Sequence, residues 1–183
     1  MQYTILRKER SDVTKMILIG NLISAAASLF LMLSTVTNDR RAAYRYQALE
    51  SAALVISSVF FGAWVRLISQ AFGAIRNVLV MDDKFTVPLM VAFTALSTGL
   101  GLWMNNEGWV GLIVIAATIQ LTLCNYYCKS VRAMKIGFAV NLFLWSVYSF
   151  LISDVAYGIA NGVIFFVSLA SLARYERLQK ARA

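Results

Sequence analysis

Seven long stretches free of acidic and basic residues leave little else in this chain of 183 residues. Six are unbroken: 16–38, 51–65, 85–106, 108–128, 136–153 and 155–173. The seventh, 67–81, is interrupted only by Arg76. A helix that crosses a bilayer needs roughly 20 apolar residues, and the chain is 60% apolar and 14% charged. That balance leaves no material for a domain outside the bilayer. The expectation is an all-α integral membrane protein of seven transmembrane helices. A basic stretch precedes the first run, as in a secretion signal. The run is 23 residues long, beyond the usual apolar core of a signal, and no small-residue cleavage site follows. It is read as a retained span.

The net charge of +8 reports orientation and not nucleic acid, because the bases gather at span ends. Lys and Arg accumulate on cytoplasmic loops. Arg40, Arg41 and Arg45 follow span 1, Lys84 follows span 3, and Lys129, Arg132 and Lys135 follow span 5. Arg174, Arg177, Lys180 and Arg182 close the chain. The other side holds Arg66 and the N-terminal Arg7, Lys8, Arg10 and Lys15. Eleven bases against five put the N-terminus outside and the C-terminus in the cytoplasm. Cys124 and Cys128 lie four apart on span 5. With no histidine in the chain, they read as reduced cysteines on one helix face, and neither metal nor cofactor is expected.

An internal repeat organises the spans. Laid over each other without a gap, 67–77 and 151–161 share Leu, Ile, Ser, the Ile at 75/159 and the final Asn. The polar turn Asp82-Asp83-Lys84 ends the first three spans, and the single proline, Pro88, opens the fourth at a helix start. The division is a tail at 1–15, a three-helix bundle at 16–82, a linker helix at 83–106, a second bundle at 107–173 and a basic tail at 174–183. One helix between two three-helix units gives both the same orientation, the parallel kind of transporter repeat. Each unit reads as a basic loop of about ten residues followed by a tight hairpin, at Arg66–Gln70 in the first and Ser153-Asp154 in the second. Gly158 and Gly162 flank Asn161, and Gly73 precedes Asn77 by four, a spacing suited to close helix packing.

The second unit contains Leu144-Trp145-Ser146-Val147-Tyr148, then Asp154, then Ala160-Asn161. This pattern resembles the SWEET and SemiSWEET sugar transporters, in which Leu-Trp-x-x-Tyr lies on the second helix of a bundle, an acid in the following turn, and Ala-Asn on the third. The match covers 109–173 well and 16–82 loosely. The short chain and degenerate motifs also look like the YgjV-type bacterial inner membrane proteins. The resemblance implies a 3+1+3 SWEET-like fold in the bacterial inner membrane. It also implies that Asn77 and Asn161 contact a solute while Trp145 stacks on it, with Phe61 as the counterpart of Trp145 and Trp64 of Tyr148. Tyr148 and Asp154 take structural or gating roles. The family's Pro-Gln hinge is missing, Ile119-Gln120 being the nearest match; Gly20 and Gly111 are candidates for the lost flexibility. Arg76, beside Asn77, either pairs with Glu50 or binds an anion.

The expected function is facilitated passage of a small polar solute such as a sugar. A nucleoside, a small anion, or a scaffold that transports nothing are the alternatives. An enzyme would need a nucleophile–base pair or metal ligands and is not expected. The partners are the solute and the lipid bilayer, and no acid deep enough for proton coupling is anticipated.

Overall fold

The structure is a computed structural model that describes the backbone of residues 2–37, 39–127 and 131–180, with side chains within 13–177 except at a few positions near helix ends. Cys128 and Lys129 lie outside the described residues. Seven helices account for nearly all of it: α1 (Gln2–Val36), α2 (Arg40–Phe61), α3 (Trp64–Met81), α4 (Val87–Trp103), α5 (Trp109–Tyr127), α6 (Val131–Leu151) and α7 (Val155–Lys180). The residues 2–15 that read as a tail continue α1.

The helix ends follow local chemistry, which in two places overrides the charge pattern. Asp39 caps α2, its carboxylate accepting from the backbone N–H of Arg41 (3.1 Å) and Ala42 (3.2 Å). The bases Arg40, Arg41 and Arg45 therefore sit on the first turns of a helix and not in the expected ten-residue loop. Glu50, placed by sequence near the inner end of span 2, becomes a mid-helix residue. At the other end of α2, Gly62 takes the left-handed conformation (φ 63°, ψ 23°) and its N–H reaches back to Val59 O. Glycine adopts that conformation without the penalty of a Cβ. The hairpin thus falls at Gly62-Ala63, and Arg66–Gln70, read as the turn, belong to α3. The α6–α7 turn does fall at Ser153-Asp154, with Tyr157 N–H bonded to Asp154 Oδ1 at 3.2 Å. Pro88 opens α4 as expected.

These boundaries change the register of the repeat. Asn161 is six residues beyond the first residue of α7, but Asn77 is thirteen beyond that of α3. Counted from the helix starts, Asn161 matches Gln70, Tyr157 matches Arg66, and Asp154 matches Ala63. The gapless overlay is off by seven residues, about 10 Å of helix.

Helices pack in chain order: α1 on α2, α2 on α3, α3 on α5, α5 on α6, α6 on α7, and α7 back on α1, with α4 outside against α3 and α5. At one end Asn106 Nδ2 donates to Gly62 O at 2.9 Å, joining the α4–α5 and α2–α3 turns. Asn21 of α1 clasps the α6–α7 turn through Ser153 O (3.3 Å) and Ala156 N–H (3.0 Å). Glycines set the close contacts. A Cβ at Gly20 would stand 2.8 Å from the Phe61 ring, and one at Gly111 would stand 2.3 Å from Asn105 Oδ1. Both glycines sit where a neighbouring side chain approaches closely. Gly158 and Gly162 face Phe150 and Ser146 across the α6–α7 seam, as their spacing suggested.

Polarity is inverted relative to a protein bathed in water. Ser24, Ser57, Ser58, Arg66 and Asp154 are wholly buried, whereas Leu22, Leu29, Ile56 and Phe166 are exposed. In lipid, polar groups must find partners inside the protein, and apolar side chains face outward at no cost. Val13–Thr35 and Trp109–Tyr127 are long and apolar enough to cross a membrane, and Val87–Trp103, Ile136–Leu151 and Val155–Ala170 are shorter apolar helices.

Candidate functional site

A cavity lies inside the ring. Its walls come from α1 (Leu31), α2 (Gln47, Glu50, Ser51), α3 (Ser69, Gln70, Gly73, Arg76, Asn77), α5 (Ala117, Thr118, Leu121), α6 (Phe138, Asn141, Leu142, Trp145) and α7 (Tyr157, Asn161). Polar groups converge here because each lies on the inward stripe of its helix, where lipid does not reach. The cavity measures about 60 Å³. On that measure one water needs about 10–15 Å³, so the space holds roughly four to six water-sized groups.

Five of the candidate site residues border the cavity: Asn77, Asn161, Trp145, Arg76 and Glu50. Asn77 is buried and its Oδ1 has no hydrogen-bond partner among the described residues. Asn161 donates to Tyr157 O of its own helix at 2.8 Å, leaving its carbonyl oxygen for other partners. The two amides do not face each other at one depth; the register difference spaces them along the cavity. The Trp145 indole meets the Tyr148 ring edge-on at 5.6 Å between centroids.

Phe61 and Trp64 are not counterparts of Trp145 and Tyr148. Phe61 is the last residue of α2, covered by Gly20, and Trp64 is the exposed first residue of α3. Neither borders the cavity. Nor do Arg76 and Glu50 pair. Arg76 donates to Thr122 Oγ1 on α5 at 3.0 Å, while Glu50 accepts from the Tyr157 hydroxyl of α7. Among the described residues neither forms a salt bridge. Glu50 is buried on the cavity wall, which removes the premise that no deep acid exists.

One end of the cavity is closed by a network that sequence did not assemble. Arg66, read as a loop base, is in the first turn of α3 and 0% exposed. Its guanidinium reaches Asp154 Oδ2 at 2.6 Å and Ser24 Oγ at 3.3 Å. Ser24 donates to the same carboxylate oxygen at 2.6 Å and lies 2.7 Å from Ser57 Oγ. The guanidinium carbon also sits 5.3 Å from the Tyr157 ring centroid and 5.6 Å from that of Phe61. Asp154 thus caps α7, as anticipated, and ties α7 to α1 and α3. Tyr148 is wholly buried beside this network. Glu107, in the α4–α5 turn, is partly buried, and that burial raises its carboxyl above the ordinary range against a smaller opposing influence from the Tyr148 hydroxyl.

Sequence reasoning also missed Gln70 and Asn141. Asn141 Nδ2 donates to Ala117 O at 2.8 Å and to Gln120 Oε1 at 3.2 Å, and Gln120 donates to Gly137 O at 3.0 Å. Gln120, noted only as the remnant of a hinge motif, instead stitches α5 to α6. The available signal for both was a lone polar residue in an apolar run, the same signal that picked out Asn161.

No curated protein and no solved structure matches the chain. A family profile does, over residues 18–179, spanning all seven helices, and its description is a bacterial inner membrane protein. That localisation agrees with apolar side chains exposed along the helices and polar ones buried between them, and the chain belongs to the Imp-YgjV family of bacterial inner membrane proteins.

Proposed function

We propose that this protein is a transporter for a small polar solute, built as two parallel three-helix bundles (α1–α3 and α5–α7) joined by α4, with all seven helices crossing the inner membrane. The observation that carries the reading is the polar cavity, walled by every helix except α4. A scaffold that transports nothing has no use for buried amides and charges around a space. The bundle arrangement is supported by contacts that repeat: α3 meets α5 as α7 meets α1. It is supported also by Arg66 and Tyr157, which hold matching positions on α3 and α7 and touch each other.

With the N-terminus outside and the C-terminus cytoplasmic, as the bases favour, the Arg66–Asp154 closure is the outer gate. The cavity then extends toward the cytoplasmic ends of α2, α3 and α6 through Gln47, Arg76 and Phe138. Passage requires the ion pair to part while the solute is held below it, by hydrogen bonds from the amides and by the Trp145 ring. The present volume suits a solute smaller than a sugar ring.

The test is uptake into proteoliposomes of a panel spanning glycerol, lactate, alanine, ethanolamine, a monosaccharide and a nucleoside. Wild type is expected to move at least one solute above protein-free vesicles, and Asn161→Ala and Trp145→Ala to slow that uptake at least tenfold. A wild type that moves none of them refutes the reading.

A further inference from the structure

The buried charges do not all cancel in pairs. Among the described residues four charged side chains are buried: Glu50, Arg66, Arg76 and Asp154. Arg66 and Asp154 neutralise each other. Glu50 and Arg76 remain, opposite in sign, both on the cavity wall and in no salt bridge. Each has a neutral protein partner, the Tyr157 hydroxyl for Glu50 and Thr122 for Arg76, while Arg76 Nε has none.

Geometry places the two charges at the same level. α2 and α3 run antiparallel across Gly62-Ala63; Glu50 is twelve residues before Gly62, and Arg76 is thirteen after Ala63. At 1.5 Å per residue their depths differ by about one rise. On the Arg76 side of the same cavity is a niche left by Gly73. The point where a Gly73 Cβ would stand lies 3.4 Å from Ser51 Oγ, next in sequence to Glu50, 3.8 Å from Gln70 Oε1 and 3.9 Å from an Arg76 guanidinium nitrogen.

We propose that the cavity, with this niche as part of its wall, binds a small zwitterion, a solute of about five or six heavy atoms carrying a carboxylate and an ammonium in the manner of glycine or alanine. The carboxylate is taken by Arg76 and the ammonium by Glu50. This deepens the transporter reading and rests on it. For buried side chains, a separated pair of opposite charges is best satisfied by a ligand with the complementary pair. An anion would complement Arg76 and repel Glu50; a cation would do the reverse; a neutral polyol would leave both charges with dipoles alone. A zwitterion also keeps the loaded site at zero net charge, so its passage does no work against the membrane potential. The cavity volume sets the upper size.

The experiment uses the full chain in nanodiscs and proteoliposomes, with alanine, lactate, ethanolamine and glycerol as zwitterion, anion, cation and neutral probes, none larger than alanine. Alanine is expected to bind at least tenfold more tightly than the other three, and its uptake to be unchanged by a potassium–valinomycin potential. Arg76→Gln and Glu50→Gln should each weaken alanine at least tenfold, the first shifting preference toward ethanolamine and the second toward lactate. Gly73→Ala guards against misfolding. Its methyl meets only ordinary contacts, so the protein folds, yet it fills the niche and should weaken alanine several-fold. Alanine no better than lactate or ethanolamine, or alanine binding indifferent to all three variants, overturns the proposal. If another panel solute is transported meanwhile, the transporter reading survives; if nothing is transported but alanine binds as described, only the transporter reading falls.

Discussion

Removing the carboxylate at Asp154 isolates a charge that has no route to solvent. Arg66 is 0% exposed, and among the described residues its ion pair is the 2.6 Å contact with Asp154 Oδ2. In Asp154→Ala the guanidinium keeps only Ser24 Oγ, at 3.3 Å, and two aromatic faces. Breaking a buried pair from one side costs about 3–5 kcal/mol, because the surviving charge is desolvated without compensation. Loss of the α7 cap contributes about 1 kcal/mol within that total. The expected loss is therefore about 4 kcal/mol, measured by equilibrium denaturation in mixed SDS micelles followed by tryptophan fluorescence. Asp154→Asn keeps a capping oxygen and separates the cap from the charge; it should retain about 1 kcal/mol more than the alanine variant. The double variant Arg66→Met/Asp154→Leu removes both charges and leaves apolar side chains of similar size. It should recover most of the loss, since such replacements are neutral or stabilising by about 1–4 kcal/mol. A single-variant loss under 1 kcal/mol, or a double variant as unstable as the sum of its parts, would refute the claim that this pair is dry.

Three other outcomes follow from local geometry. A Cβ at Gly137 would stand 2.2 Å from Cys124 Sγ, so Gly137→Ala should cost about 1–3 kcal/mol and Cys124→Ala should restore part of it in the same denaturation assay. Gly62→Ala, at φ 63° but with open space for the methyl, should cost about 1–2 kcal/mol from backbone strain alone. For Glu107 the sign is that of a raised acid: its protonated form is favoured in the folded state, so that stability is present below the ordinary value of 4.5 and lost as pH rises through the raised one. Glu107→Gln should then be more stable than wild type at pH 7, with the difference shrinking toward pH 4; equal stability at both would contradict it.

The bilayer requirement made much of the architecture legible. Long charge-free runs, Pro88 at a helix start, and the polar turns at 82–84 and 153–154 each announce themselves locally. Helix boundaries were less accessible where a charge sits inside a helix. Arg66 looked like the end of a span because exposed charge is cheap; its actual neighbours, Asp154 and Ser24, are 88 and 42 residues away in the chain. Arg45 looked like loop and Glu50 like the inner end of a span for the same reason, although Asp39 caps a helix before them. The resemblance of 145–161 to a sugar transporter pointed to Trp145 and Asn161 on the cavity wall. Extending it to the first half by gapless overlay misplaced Phe61 and Trp64 by two turns of helix, and hid Gln70 as the positional match of Asn161.

What the sequence by itself determined is the solvent: helices of this length and apolarity have to satisfy their backbone internally and turn their leucines and phenylalanines to lipid. What only the tertiary structure decided is which charges meet. Arg66 finds Asp154, whereas Arg76 and Glu50, the pair that proximity on adjacent helices suggested, bond to Thr122 and Tyr157 instead. Sequence distance carries no information about such contacts, because they depend on how whole helices rotate and pack. Where the packing left a cavity, it also left the two opposite charges on its wall.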